Sequence, residues 1–197
     1  MNDFLSSILN EGQHYSWLEI IGVSTALIYV YFAAKGNRIC FLFGLVSSSI
    51  YIYIATDLKY YFDSFINAYY VAMSFYGWFA WGKNSASQQI IKFDNKEFLT
   101  IIFIGLTVSF SLGFIAQNLS DANLPYWDAI TTIFSLIATW LVVKKIIENW
   151  LIWIVVDFIA LFMYFQKGLF LTAILFLIYT IIAIKGYFTW KKELSHA

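Results

Sequence analysis

The chain has 197 residues, 61% of them hydrophobic and 12% charged, with a mean hydropathy of +0.72. Soluble domains carry about a quarter charged residues, so composition excludes one and points to a membrane protein. A formal net charge of zero removes the electrostatic footprint of nucleic-acid binding, and the single cysteine, Cys40, excludes an internal disulfide or a thiol pair.

The stretch 1–16 lacks the basic n-region of a signal peptide; Phe4, Leu5, Ile8 and Leu9 share one helical face, which predicts a short interfacial segment. Beyond it, seven apolar runs approach the roughly 20 residues needed to cross about 30 Å of hydrocarbon. They cover 17–34, 39–56, 60–82, 98–117, 126–143, 149–165 and 168–190. The second and sixth are short and must stand nearly upright or borrow length from their flanks. The only proline, Pro125, sits at the entry to the fifth run, where a helix start tolerates it. Polar stretches at 83–97 and 118–125 flank the fourth run, and 191–197 forms a tail.

Basic residues set the expected orientation. With the amino terminus outside, the inner side holds Lys35, Arg38, Lys83, Lys92, Lys96, Lys144, Lys145, Lys191 and Lys192, and the outer side keeps Lys59 and Lys167. The polar stretch 83–97 and the tail are then cytoplasmic, and 118–125 is external.

Sliding the chain by 109 residues lays Trp17-Leu18-Glu19-Ile20 over Tyr126-Trp127-Asp128-Ala129, Lys35 over Lys144, Gly77 over Gly186 and Trp81 over Trp190. Each half ends on Gly-x-x-x-Trp. The connection between the first two helices of each unit is expected to need a small compensating shift. One intervening helix restores the orientation of the second unit. The predicted fold is therefore an all-α polytopic membrane protein, with parallel three-helix repeats at 17–82 and 126–190 joined by the linker helix 98–117. This 3+1+3 plan resembles the SWEET-type transporters and puts a substrate site near the midplane between the repeats.

Helical spacing names the faces toward that axis. The third helix offers Asp63, Asn67, Tyr70 and Ser74; its mate, the seventh, offers Thr172, Phe176, Tyr179 and Ala183. The sixth offers Trp150, Trp153 and Asp157, and the second offers Phe41, Gly44, Ser48 and Tyr51. The fifth adds Asp128, Thr131, Thr132, Ser135 and Thr139.

Each residue also has a plainer reading. Tryptophans at span ends, Trp17, Trp81, Trp190 and Trp150 among them, are commonly interface anchors. Serines and threonines in membrane helices are more often interhelical glue than ligands. Glu19, Asp63 and Asp128 fall in first turns, where the helix dipole welcomes an acid. Asn67 and Asp157 resist such accounts, because a polar or ionisable group deep in a span needs a partner, a water cavity or a ligand. Aromatic planes beside a carboxylate and an amide form a cage for a flat cation. Each good cation–π contact contributes about 0.5–2 kcal/mol, and Asn67 can both donate and accept hydrogen bonds.

The motifs that carry a family likeness are Trp17-x-Glu19-x-x-Gly22, Ala34-Lys35-x-Asn37, Tyr61-x-Asp63-x-x-x-Asn67 and Tyr76-Gly77-Trp78-x-x-Trp81. The second half adds Lys144-Lys145-x-x-Glu148-Asn149-Trp150-x-x-Trp153, Asp157, Lys167-Gly168 and Gly186-Tyr187-x-x-Trp190. Together they resemble the PnuC-type vitamin transporters, which carry nicotinamide riboside, thiamine or related compounds. The likeness covers nearly the whole chain outside the linker helix, and Glu-Asn-Trp-x-x-Trp is its most specific part. It implies a homotrimer in the bacterial inner membrane, working by facilitated diffusion and coupled to a cytoplasmic kinase that traps the vitamin. It also implies a substrate site of Asn149, Trp150, Trp153 and Asn67, with Asp157 and Asp63. Tyr70, Phe41 and Tyr179 complete the expected lining, and Glu19 and Asp128 are the expected gate acids. Nicotinamide riboside carriers often have Gln in place of Asn67, and many members have Trp-Pro in place of Phe41-Leu42. The long aromatic face favours thiamine, with its two rings, over nicotinamide riboside.

Other classes fare worse. Both histidines, His14 and His196, lie outside the spans, so no Ser/His or His/carboxylate pair supports a membrane enzyme. A seven-helix photoreceptor would need its lysine deep in the seventh helix, and Lys185 lies near the end, where snorkelling explains it. No Walker-type loop is present, and no cofactor or metal is expected.

Overall fold

The computed structural model describes residues 17–57, 59, 61–82, 89–119 and 124–195. The interfacial segment expected over 1–16 lies outside the described residues, as do parts of the polar connections. Among the described residues, seven α-helices make up the fold: α1 (Trp17–Ala34), α2 (Cys40–Asp57), α3 (Tyr61–Ala80), α4 (Asn95–Leu119), α5 (Pro125–Val143), α6 (Asn149–Gln166) and α7 (Phe170–Leu194). Their interiors contain no proline, and in hydrocarbon a helix satisfies its own backbone groups. Six of them are long and apolar enough to cross a membrane. The exception is α3, which has 20 residues and carries the polar stripe. Two boundaries differ from expectation by three residues or more. The linker α4 begins at Asn95, and α7 runs past Trp190 to Leu194 with Lys191 and Lys192 in its last turn, where cations complement the helix dipole.

Packing runs in a closed ring: α1 on α2, α2 on α3, α3 on α5, α5 on α6, α6 on α7, and α7 back on α1. Outside the ring, α4 stands against α5. There Gly105 and Gly113 let Phe134 and Tyr126 of α5 approach the α4 backbone. An offset of 109 residues maps α1 onto α5, α2 onto α6 and α3 onto α7. The same offset turns the α3–α5 junction into the α7–α1 junction, so the ring has the pseudo-two-fold symmetry of two parallel three-helix repeats.

The turns keep that register, and the compensating shift expected between the first two helices of each repeat does not occur. Gly36 (φ 64°) and Lys145 (φ 55°) occupy the same left-handed position after α1 and α5. Gly36 N–H donates to Ala33 O, as Lys145 N–H donates to Val142 O; Asn37 N–H donates to Phe32 O, as Ile146 N–H donates to Leu141 O. After α2 and α6, Lys59 (φ 61°) and Gly168 (φ 74°) match in the same way. Backbone geometry is therefore conserved between the halves while the residue that adopts it alternates between glycine and lysine.

Candidate substrate cavity

The ring encloses a cavity of about 370 Å³ lined by all six of its helices. Most of the lining falls into mates at the 109-residue offset. From α1 and α5 come Ala26/Ser135, Val30/Thr139 and Ala33/Val142; from α2 and α6, Phe41/Trp150, Gly44/Trp153 and Ser48/Asp157; from α3 and α7, Asn67/Phe176, Tyr70/Tyr179 and Ser74/Ala183. The ring symmetry thus extends to single side chains, and the differences within pairs give the cavity its chemistry. Among the described residues, Asp157 is the one aspartate or glutamate of the lining, and no lysine, arginine or histidine faces it there.

Of the residues expected at the site, Trp150, Trp153, Asp157, Asn67, Tyr70, Phe41 and Tyr179 all line the cavity. Asp157 is 5% exposed and lies within electrostatic range of Tyr179, which also senses Tyr51. Asn67 donates its amide N–H to Asp63 O at 2.9 Å. The Tyr70 phenol hydrogen-bonds Ser135 across the α3–α5 junction. Ser47 lines the wall, but its hydroxyl is bound to Gly22 O at 2.9 Å, so there the glue reading holds.

Asn149 is not brought to the cavity. It is fully buried at the start of α6 and donates its amide N–H to Ile146 O at 2.6 Å. Asp63 and the expected gate acids Glu19 and Asp128 are also absent from the lining. They sit in the first turns of α3, α1 and α5, at the opposite end of the ring from Lys145, where Asp128 lies within electrostatic range of Lys167 and Asp63.

The α1 face of Ala26, Tyr29, Val30 and Ala33 is one that sequence reasoning misses, although the offset from Ser135 and Thr139 reaches Ala26 and Val30. Tyr29 fills the room that glycine leaves at position 44: a Cβ on Gly44 would lie 2.9 Å from its ring. In the other repeat the bulk comes from the partner helix, with Ala138 on α5 and Trp153 on α6. That swap keeps the wall filled on both sides while placing a tryptophan on one side alone.

The anchor reading fails for three tryptophans, Trp150 in the cavity wall among them. Trp81 and Trp190 are 2% and 0% exposed, buried in the core at the lysine-bearing end, whereas Trp17 is 68% exposed and fits it. The connection before α4 also docks there. Ile91 pairs with Ile146 as a parallel bridge, and Glu148 accepts from Phe93 N–H at 3.2 Å. Burial holds the Lys145 ammonium below its usual range, opposed by the charge of Glu193.

A family model described as nicotinamide mononucleotide transporter matches residues 16–192. Among similar curated proteins is the nicotinamide riboside transporter PnuC of Escherichia coli (strain K12), 22% identical over 91% of this chain and 87% of its own. The protein of the same name from Neisseria mucosa is 27% identical, over 90% of this chain and 73% of its own. A solved structure, described as the crystal structure of the vitamin B3 transporter PnuC, superposes with a TM-score of 0.74 at 23% identity. It covers 98% of this chain and 90% of that one, a likeness that establishes the fold.

Proposed function

This chain belongs to the nicotinamide mononucleotide transporter family, and on that premise we propose that its cargo is nicotinamide riboside, an unphosphorylated pyridinium nucleoside. The observation that carries the reading is the charge balance of the cavity: among the described residues, one carboxylate, Asp157, stands within aromatic walls, with no basic side chain in the lining. A pyridinium ring between Trp150, Trp153 and Tyr179 gains cation–π attraction, and its charge offsets the cost of burying Asp157. A 5′-phosphate would bring about two further negative charges beside Asp157 and find no cation. The cavity therefore suits the riboside better than the mononucleotide of the family's description. The same charge balance supports one-way retention, since a cargo phosphorylated inside the cell is no longer a fit for the path out.

Thiamine, favoured by the aromatic face alone, gives way here because the relatives are named for nicotinamide riboside. The working picture is a homotrimer in the bacterial inner membrane, with the amino terminus outside and the lysine-bearing end in the cytoplasm. Transport is by facilitated diffusion, coupled to a cytoplasmic kinase. A calorimetric titration of the purified protein with nicotinamide riboside, thiamine and nicotinamide mononucleotide tests the cargo. The riboside should bind tightest and the mononucleotide should give no heat; tightest binding by thiamine or the mononucleotide would overturn the assignment.

A further inference from the structure

The Gly-x-x-x-Trp ending of each repeat stands outside the cage, yet its four residues converge at one end of the ring. Trp81 Nε1–H, from the first repeat, donates to Val143 O of the second at 2.9 Å, and Trp190 Nε1–H, from the second, donates to Ala33 O of the first at 3.2 Å. The two indoles meet with centroids 6.0 Å apart. Each also meets a ring of the cavity wall in a T-shaped contact: Trp81 with Phe41 at 4.9 Å and 81°, Trp190 with Trp150 at 5.5 Å and 90°. The glycine of each motif is the seat of the same ring. A Cβ on Gly186 would lie 2.8 Å from the Trp150 indole, and one on Gly77 would overlap Phe41. Behind Trp81, the Lys145 ammonium lies 4.6 Å from the ring centroid.

We propose that the paired Gly-x-x-x-Trp motifs form a gate that seals the cavity at the lysine-bearing end. Both indole hydrogen bonds cross between the repeats, so any parting of the repeats at this end breaks them together. Phe41 and Trp150 face the cavity on one side and the plug on the other, so a ring seated in the cavity bears directly on the seal. The gate rests on the transporter reading but not on the identity of the cargo.

Cys40, the chain's only cysteine, is fully buried beside Phe41 and reports on the seal. The test measures alkylation of Cys40 by N-ethylmaleimide in the full-length protein in liposomes, with no cargo present. Trp81→Phe and Trp190→Phe keep an aromatic ring and remove the N–H. Each should speed alkylation by about tenfold, the effect of one buried hydrogen bond on an opening equilibrium, while Trp17→Phe leaves the rate unchanged. Rates equal to wild type in both variants would overturn the gate. Wild type alone supplies a second measurement should the variants fail to fold. Its Cys40 should react faster than the protein unfolds globally, and reaction only at the unfolding rate would equally overturn the proposal. Failure of the riboside to bind leaves these comparisons intact and bears on the cargo alone.

Discussion

Phe41 and Trp150 face one cavity from corresponding positions of the two repeats, and each packs directly against a glycine of the next helix, Gly77 and Gly186. The fit leaves no room for a methyl group. Gly186→Ala should push Trp150 into the cavity, lowering both the melting temperature and riboside affinity, with overpacking costing about 1–3 kcal/mol. Gly77→Ala should act the same way through Phe41. Calorimetric binding together with thermal unfolding checks this, and wild-type affinity in both variants would detach the glycines from the site.

Trp153 is the aromatic residue for which the first repeat has only Gly44, so no pseudo-symmetric partner replaces it. Trp153→Ala should weaken riboside binding by about 1–2 kcal/mol, roughly five- to thirtyfold, while the oligomer elutes unchanged from size exclusion. Unaltered affinity would move the seat of the ring elsewhere.

Asp157→Asn keeps the shape of the side chain and removes its charge. Binding of the cationic riboside should fall by about 2 kcal/mol or more, some thirtyfold, whereas the neutral dihydropyridine riboside should lose much less. Equal losses for the two ligands would mean that Asp157 acts through hydrogen bonding rather than charge. The double variant Ser48→Asp, Asp157→Ser moves the carboxylate to the symmetry-related wall and should restore part of the lost affinity.

Lys59 and Lys145 share a left-handed backbone that glycine adopts in the other repeat. Lys59→Gly should stabilise the protein by about 1 kcal/mol through relief at that position. Lys145→Gly should lower the melting temperature, because the buried ammonium stacked on Trp81 is lost. Equal gains in both would show that backbone strain alone matters there.

Asp157 and Asn67 are legible in the sequence because a polar group inside an apolar run is costly enough to demand a reason. The α3 and α6 faces follow from those two residues by helical spacing, and the α7 and α2 faces follow from them by the 109-residue offset. Along α1 no such marker exists, and Tyr29 among apolar neighbours looks the same whether it meets lipid or cavity. Asn149 is the reverse case. Its motif points to the site, but the tight turn before α6 directs its amide to Ile146.

Seven spans, two repeats and the offset between them can be derived from hydropathy and residue spacing, since a bilayer sets the length of a helix and duplication preserves register. Which apolar faces turn inward cannot, because helices that are hydrophobic all round carry too weak a periodicity to distinguish lipid from neighbour. Closure of the ring through the α3–α5 and α7–α1 junctions settles that question. It buries Trp81 and Trp190, residues that spacing alone would leave at the membrane surface, and makes them one of the contacts between the two halves.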